Sequence, residues 1–117
     1  MTSKRAEQSA PFVSVTEMQQ LEELFKLSQE KPVVIFKHST TCPISAAAYQ
    51  QMERMPSEVS LIVVQRSREL SRTVEERTGI RHESPQAIIL REGRAAWHAS
   101  HWNITAEAVE TAVRQHQ

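Results

Sequence analysis

The sequence predicts an α/β domain built on a mixed central sheet flanked by helices, in the order β-α-β-α-β-α-β-β-α. Three observations carry that prediction. Val33–Phe36 and Val59–Val64 are largely apolar, β-branched runs without strict alternation, as in strands covered on both faces. Stretches with helical spacing and capping signals separate the strand-like runs. Glu92-Gly93-Arg94 falls between two further strand-like runs and reads as a hairpin loop, so antiparallel strands follow the parallel ones.

Each element has its own warrant. Phe12–Val15 is a short strand. Thr16 and Gln19 fit a capping box, and Met18, Leu21, Leu24, Phe25 and Leu27 form the apolar face of the helix that Pro32 closes. After the strand Val33–Phe36, a second helix runs from Pro43 towards Met55, with Ala47, Ala48, Met52 and Met55 inward and Pro56 as its stop. Val59–Val64 is the third strand. Ser67 opens a polar helix with Leu70 and Val74 inward and Gly79 at its end. His82-Glu83-Ser84-Pro85 turns into Ala87–Leu90, and the hairpin returns along Ala95–Ala99. Thr105 caps the last helix, and Ile104 with Val109 fits a hydrophobic staple.

At 117 residues the chain reads as one domain, 11–117, behind a polar, flexible N-terminal segment, 1–10. Fourteen basic side chains balance fourteen acidic ones, so nothing suggests bulk attraction to nucleic acid or to an acidic membrane. No apolar stretch approaches membrane length and no signal-peptide pattern is present, so a cytoplasmic location is expected. The single cysteine excludes an internal disulfide; any disulfide chemistry involves a second molecule.

That cysteine, Cys42, follows the polar turn Ser39-Thr40-Thr41 and precedes Pro43, whose fixed φ and missing N–H suit the first helical position. Cys42 is therefore expected to cap the second helix. Unpaired N–H groups and the positive end of the helix dipole stabilise a thiolate there. It also lies just past the carboxyl end of a central strand, where open α/β sheets gather ligands.

The order of elements, a cysteine opening the second helix and Ser84-Pro85 before the fourth strand resemble a thioredoxin-like fold. Thr41-Cys42-Pro43-Ile44-Ser45, His82-Glu83-Ser84-Pro85-Gln86 and the run from Trp97 to Thr105 resemble the monothiol bacilliredoxin family of the bacillithiol system, over roughly residues 12–113. The resemblance implies an oxidoreductase that removes bacillithiol from S-bacillithiolated proteins. In that reading Cys42 is the attacking thiol and Pro85 is a cis-proline facing it. Ser45 replaces a resolving cysteine, and its hydroxyl is a possible donor to the Cys42 thiolate. Thr41, Pro43, Ile44 and Ser45 support the thiolate at the helix start. Lys37, Thr40, Ser84 and Pro85 form the substrate side. No cofactor is expected to stay bound; bacillithiol is a transient mixed-disulfide partner, and a low-molecular-weight thiol recycles Cys42.

Other residues admit plainer readings. Lys37 and His38 also fit a strand end reaching solvent. His98 and His101, flanked by Trp97 and Trp102, lack the further ligands a metal site needs, and no metal is expected. Arg66, Arg68, Arg72 and Arg77, interspersed with Glu69, Glu75 and Glu76, read as a solvated, salt-bridged helix face. Two other functions stay open. One is a monothiol glutaredoxin-like iron–sulfur carrier, although such proteins usually carry Cys-Gly-Phe-Ser where this chain has Cys42-Pro43-Ile44-Ser45. The other is a thioredoxin-fold binding module whose cysteine is idle.

Overall fold

The computed structural model describes residues 11–117, and its elements follow the expected order. They are β1 (Phe12–Ser14), α1 (Met18–Leu27), β2 (Val33–His38), α2 (Pro43–Met52), β3 (Val59–Val63), α3 (Arg68–Thr78), β4 (Gln86–Arg91), β5 (Arg94–Ser100), a 3-10 turn (His101–Asn103) and α4 (Ala106–Gln115). The expected flexible segment 1–10 lies outside the described residues.

The strands form one sheet in the order β1-β3-β2-β4-β5. β1 and β2 both run parallel to β3, whereas β4 pairs antiparallel with β2 and with β5. β2 is thus a central strand, and all six of its residues are buried. Its side chains alternate between two cores. Val34 and Phe36 join Met52, Leu61, Ile89 and Val109 beneath α2 and α4. Val33 and Ile35 join Leu21, Phe25, Ile62, Leu70, Val74 and Ile88 beneath α1 and α3. Each buried Leu, Ile or Phe side chain contributes about 1.5–3 kcal/mol relative to exposure. The two faces together explain why the run carries no polar alternation.

The helix ends show which local signals were decisive. Pro43 occupies the first turn of α2, and Gly79 ends α3 with the left-handed φ of 75° that a glycine adopts without a Cβ clash. Thr105 caps α4, its hydroxyl accepting from the Ala108 N–H at 3.1 Å. The box at α1 is displaced by one residue from the expected Thr16–Gln19 pairing. Glu17 is the cap, and Gln20 Oε1 accepts from the backbone N–H groups of Thr16 and Glu17 at 2.8 and 2.9 Å. α2 stops at Met52 rather than Met55; the chain continues in turns that still bury Met55. Glu92 and Gly93 both have positive φ, 57° and 76°, which makes a two-residue hairpin loop whose twist matches its strands.

Arg91 closes the end of the sheet near that loop. Its guanidinium donates to the carbonyls of Ser28, Gln29 and His116, all at 3.0 Å. The ends of α1, β4 and α4 are thereby joined at one cation.

Candidate active site

At the other end of the sheet, the chain leaves β2 at His38, turns through Ser39-Thr40-Thr41 and enters α2 at Cys42. Cys42 is the cap residue, with extended backbone (φ −106°, ψ 122°), and its side chain makes no capping hydrogen bond. The thiol is free and partly exposed. Thr41 and Pro43 are exposed beside it, and Ile44 is half-buried.

Gln65, just past β3, holds the turn in place. Its Nε2 donates to Ser39 Oγ at 2.9 Å and to Thr41 Oγ1 at 3.2 Å, and its Oε1 accepts from the Thr40 N–H at 3.3 Å. No motif announced Gln65. The available signal was positional: β3 neighbours β2, so the residues after both strands share one edge.

Ser45 is buried one turn into α2. Its Oγ lies 2.8 Å from His38 Nδ1 and accepts from the Ser39 N–H at 2.9 Å. Burial lowers the His38 pKa, against an opposing hydrogen bond to Ser45. Ser45 Oγ thereby braces β2 against the first turn of α2. His38 also packs between Phe36 and Tyr49, with ring centroids 5.7 and 4.7 Å away.

Strand alternation sends Lys37 to the opposite face, beneath α3. Neither Lys37 nor His38 is a strand end reaching solvent; both are buried. Lys37 is 0% exposed. Among the described residues its Nζ has no hydrogen-bond partner, and neither does Oε1 of Gln86, which faces it across the β2–β4 pair. Desolvation lowers the Lys37 ammonium from its ordinary 10.5 to about 8, with the Glu75 carboxylate opposing the shift.

Cys42 opens onto a groove of about 500 Å³. Ser84 lies in the same groove, and its buried Oγ has no hydrogen-bond partner among the described residues. The Ser84–Pro85 peptide is cis. α3 supplies Arg68, Ser71, Arg72 and Glu75 to one wall, and His82 completes it. The His82 N–H donates to Glu75 Oε2 at 3.2 Å, and its Nδ1 lies 3.2 Å from Ser71 Oγ. Desolvation first, and the nearby Lys37 charge second, lower the His82 pKa.

The basic helix face is therefore not uniformly salt-bridged. Arg77 pairs with Glu22 at 2.8 Å and stacks on Phe25 at 3.8 Å. Arg68 and Arg72 have no carboxylate partner among the described residues and turn to the groove instead. Charge spacing along the chain did not show this, because the rotation of α3 over the sheet is a tertiary property.

The Trp97–Thr105 run has a clear structural task. The His101 N–H donates to the Pro85 carbonyl at 3.1 Å, and its Nδ1 lies 3.3 Å from Glu83 Oε1. His101 adopts a φ of 54°, unusual for a residue with a side chain, so the Ser84-Pro85 bend is tied to the end of β5 at a local conformational cost. Trp102 beside it is exposed. Among the described residues no group of three or more His, Cys, Asp or Glu side chains is placed to hold a metal ion, and no helix is long and apolar enough to cross a membrane.

Solved structures share this fold. A protein with a thioredoxin fold, described as a candidate oxidoreductase, is 31% identical with a TM-score of 0.80, over 90% of this chain and 95% of its own. Thioredoxin from Trypanosoma brucei brucei is 17% identical with a TM-score of 0.71, over 91% of each chain. Reduced Schistosoma mansoni thioredoxin is 16% identical with a TM-score of 0.67, over 91% of this chain and 98% of its own. The last two show the fold alone; the chain has a thioredoxin fold. The family model described as monothiol bacilliredoxin BrxC matches residues 13–109. Family and fold together support a role of the thiol–disulfide oxidoreductase kind, with thiol-modified proteins as the general class of partner. With most of its length inside that match, this chain belongs to the monothiol bacilliredoxin BrxC family.

Proposed function

We propose that this protein removes bacillithiol from S-bacillithiolated proteins through Cys42 alone. The Cys42 thiolate attacks the bacillithiol sulfur of the mixed disulfide. A new S–S bond forms to Cys42, the old one breaks, and the target's sulfur leaves as a thiolate that takes a proton from water. A second low-molecular-weight thiol then attacks the Cys42 adduct and restores the enzyme. Bacillithiol is thus a transient partner and no cofactor stays bound. The chemistry fits the cytoplasm, where thiols are kept reduced.

The observation that carries this reading is one partly exposed cysteine at the start of α2, open to a groove, with a serine hydroxyl where a resolving thiol would stand. The helix start supplies positive potential to the sulfur. Thr41, Pro43, Ile44 and Ser45 shape that start. Ser84 lines the groove that would take the disulfide, and in this reading Thr40, Pro85 and Lys37 belong to the same substrate side without lining the groove.

Intact-mass measurement after mixing the protein with a bacillithiolated target tests the proposal. Cys42 gains one bacillithiol mass while the target loses one. Absence of the adduct, or equal turnover by Cys42→Ser, contradicts it. The expected loss of turnover in Cys42→Ser is about a thousandfold or more, because a hydroxyl without a base is a far poorer nucleophile than a thiolate.

A further inference from the structure

We propose that the wall formed by Arg68 and Arg72 is an anion subsite that selects mixed disulfides whose small-thiol half carries carboxylates. This rests on the exchange chemistry proposed for Cys42 and adds the feature of the ligand that the groove reads.

Three observations carry it. Arg68 and Arg72 lie one helical turn apart on α3 and line the same groove as the Cys42 thiol. Neither has a carboxylate within 4.0 Å among the described residues, although Glu69, Glu75 and Glu76 share the helix. Behind the wall, Lys37 is fully buried, its Nζ has no hydrogen-bond partner among the described residues, and its charge acts on Glu75 and His82, both of which line the groove. Among the described residues Glu75 is the one carboxylate in that lining, and it accepts from the His82 backbone N–H at 3.2 Å. The groove therefore holds an excess of positive charge beside the reactive sulfur. Arg is suited to the task because its planar fork accepts a carboxylate through two parallel hydrogen bonds. Ser39, Gln65, Ser71 and Ser84 add neutral hydrogen-bonding groups. The volume of about 500 Å³ suits a small polar ligand.

The reaction is unchanged: Cys42 sulfur bonds to one sulfur of the disulfide, the other leaves as a thiolate, and water supplies its proton. The subsite acts on the encounter and on the orientation of the disulfide.

The test uses the full chain and three symmetric small disulfides: dithiodipropionate (two carboxylates), hydroxyethyl disulfide (neutral) and cystamine (two ammonium groups). Formation of the Cys42 adduct is timed at low ionic strength and neutral pH. Each rate is divided by that of an unstructured cysteine peptide, which removes differences in intrinsic reactivity. The normalised rate for the dianion exceeds that for the neutral disulfide by about tenfold, the cation is slowest, and added salt compresses the series. In Arg68→Gln/Arg72→Gln the ratio of anionic to neutral rate falls to within about twofold of unity. Arg66→Gln, outside the groove lining, keeps the ratio of the parent protein. Equal normalised rates for all three disulfides in the parent protein, or an unchanged ratio in the double variant, overturn the subsite while leaving exchange at Cys42 intact. If Cys42 reacts with none of the three, the exchange reading fails and the subsite with it.

Discussion

The two ends of this sheet are built on opposite principles. At the hairpin end, Arg91 supplies donors to three carbonyls, and the Ser28 hydroxyl donates to the Phe25 carbonyl at 2.6 Å while accepting from the Gly93 N–H at 2.9 Å. At the Cys42 end, Lys37 Nζ, Ser84 Oγ and Gln86 Oε1 are buried without hydrogen-bond partners among the described residues. Buried polar groups are nearly always paired, and strained or orphaned ones cluster where ligands bind. The contrast separates the part of the molecule that holds the fold from the part that gives up stability for a reactive groove.

Substitutions can break that contrast from either side. The largest change in stability is expected from Arg91→Met, which leaves three carbonyls without their charged donor. Urea unfolding should show a loss of about 4 kcal/mol, with the Cys42 adduct still forming in the folded fraction. At the other end the sign reverses. Lys37→Met removes a buried, unpaired ammonium, and at neutral pH it should raise stability by up to about 3 kcal/mol. The pH dependence fixes the cause. The folded-state pKa of Lys37, about 8, lies below its ordinary 10.5, so the unfolded chain binds more protons between those values. The penalty is complete below pH 8 and fades as pH rises towards 10.5. The advantage of Lys37→Met should therefore shrink across that window; a constant advantage from pH 7 to 10.5 would assign it to packing instead. Ser45→Ala gives the smallest change. It leaves His38 Nδ1 and the Ser39 N–H short of a partner, and a loss of about 2 kcal/mol is expected in the same urea titration.

Much of the frame was legible in the sequence because it rests on local chemistry. The apolar run of β2, Pro43 at a helix start, Gly79 at a helix end and the Thr105 cap each act within a few residues. The one-residue displacement of the first capping box is a competition between Thr16 and Glu17 for the cap, which composition does not decide. The cap position of Cys42 followed from the polar turn before it and Pro43 after it.

The environment of Cys42 was less legible, because it is made by contacts between distant segments. Strand alternation implies that Lys37 and His38 face opposite ways, but not that both are buried, since that depends on how far α3 and α2 overhang the strand end. Gln65 reaches the active-site turn across the β2–β3 pair, and His101 reaches Pro85 from the end of β5. Arg68 and Arg72 differ from Arg77 only in where the rotation of α3 leaves them. The run of arginines along the helix thus conceals two different uses, one pairing α1 with α3 and the other facing the groove at the thiol.

Single-turnover stoichiometry tests the central claim most directly. A bacillithiolated target is mixed with equimolar protein in the absence of any other thiol, and target thiols and Cys42 adducts are counted together. One freed thiol should appear for each adduct, with turnover halting there until a small thiol is added. Freed thiols in excess of adducts before that addition would contradict a mechanism that depends on Cys42 alone and on an external thiol to release it.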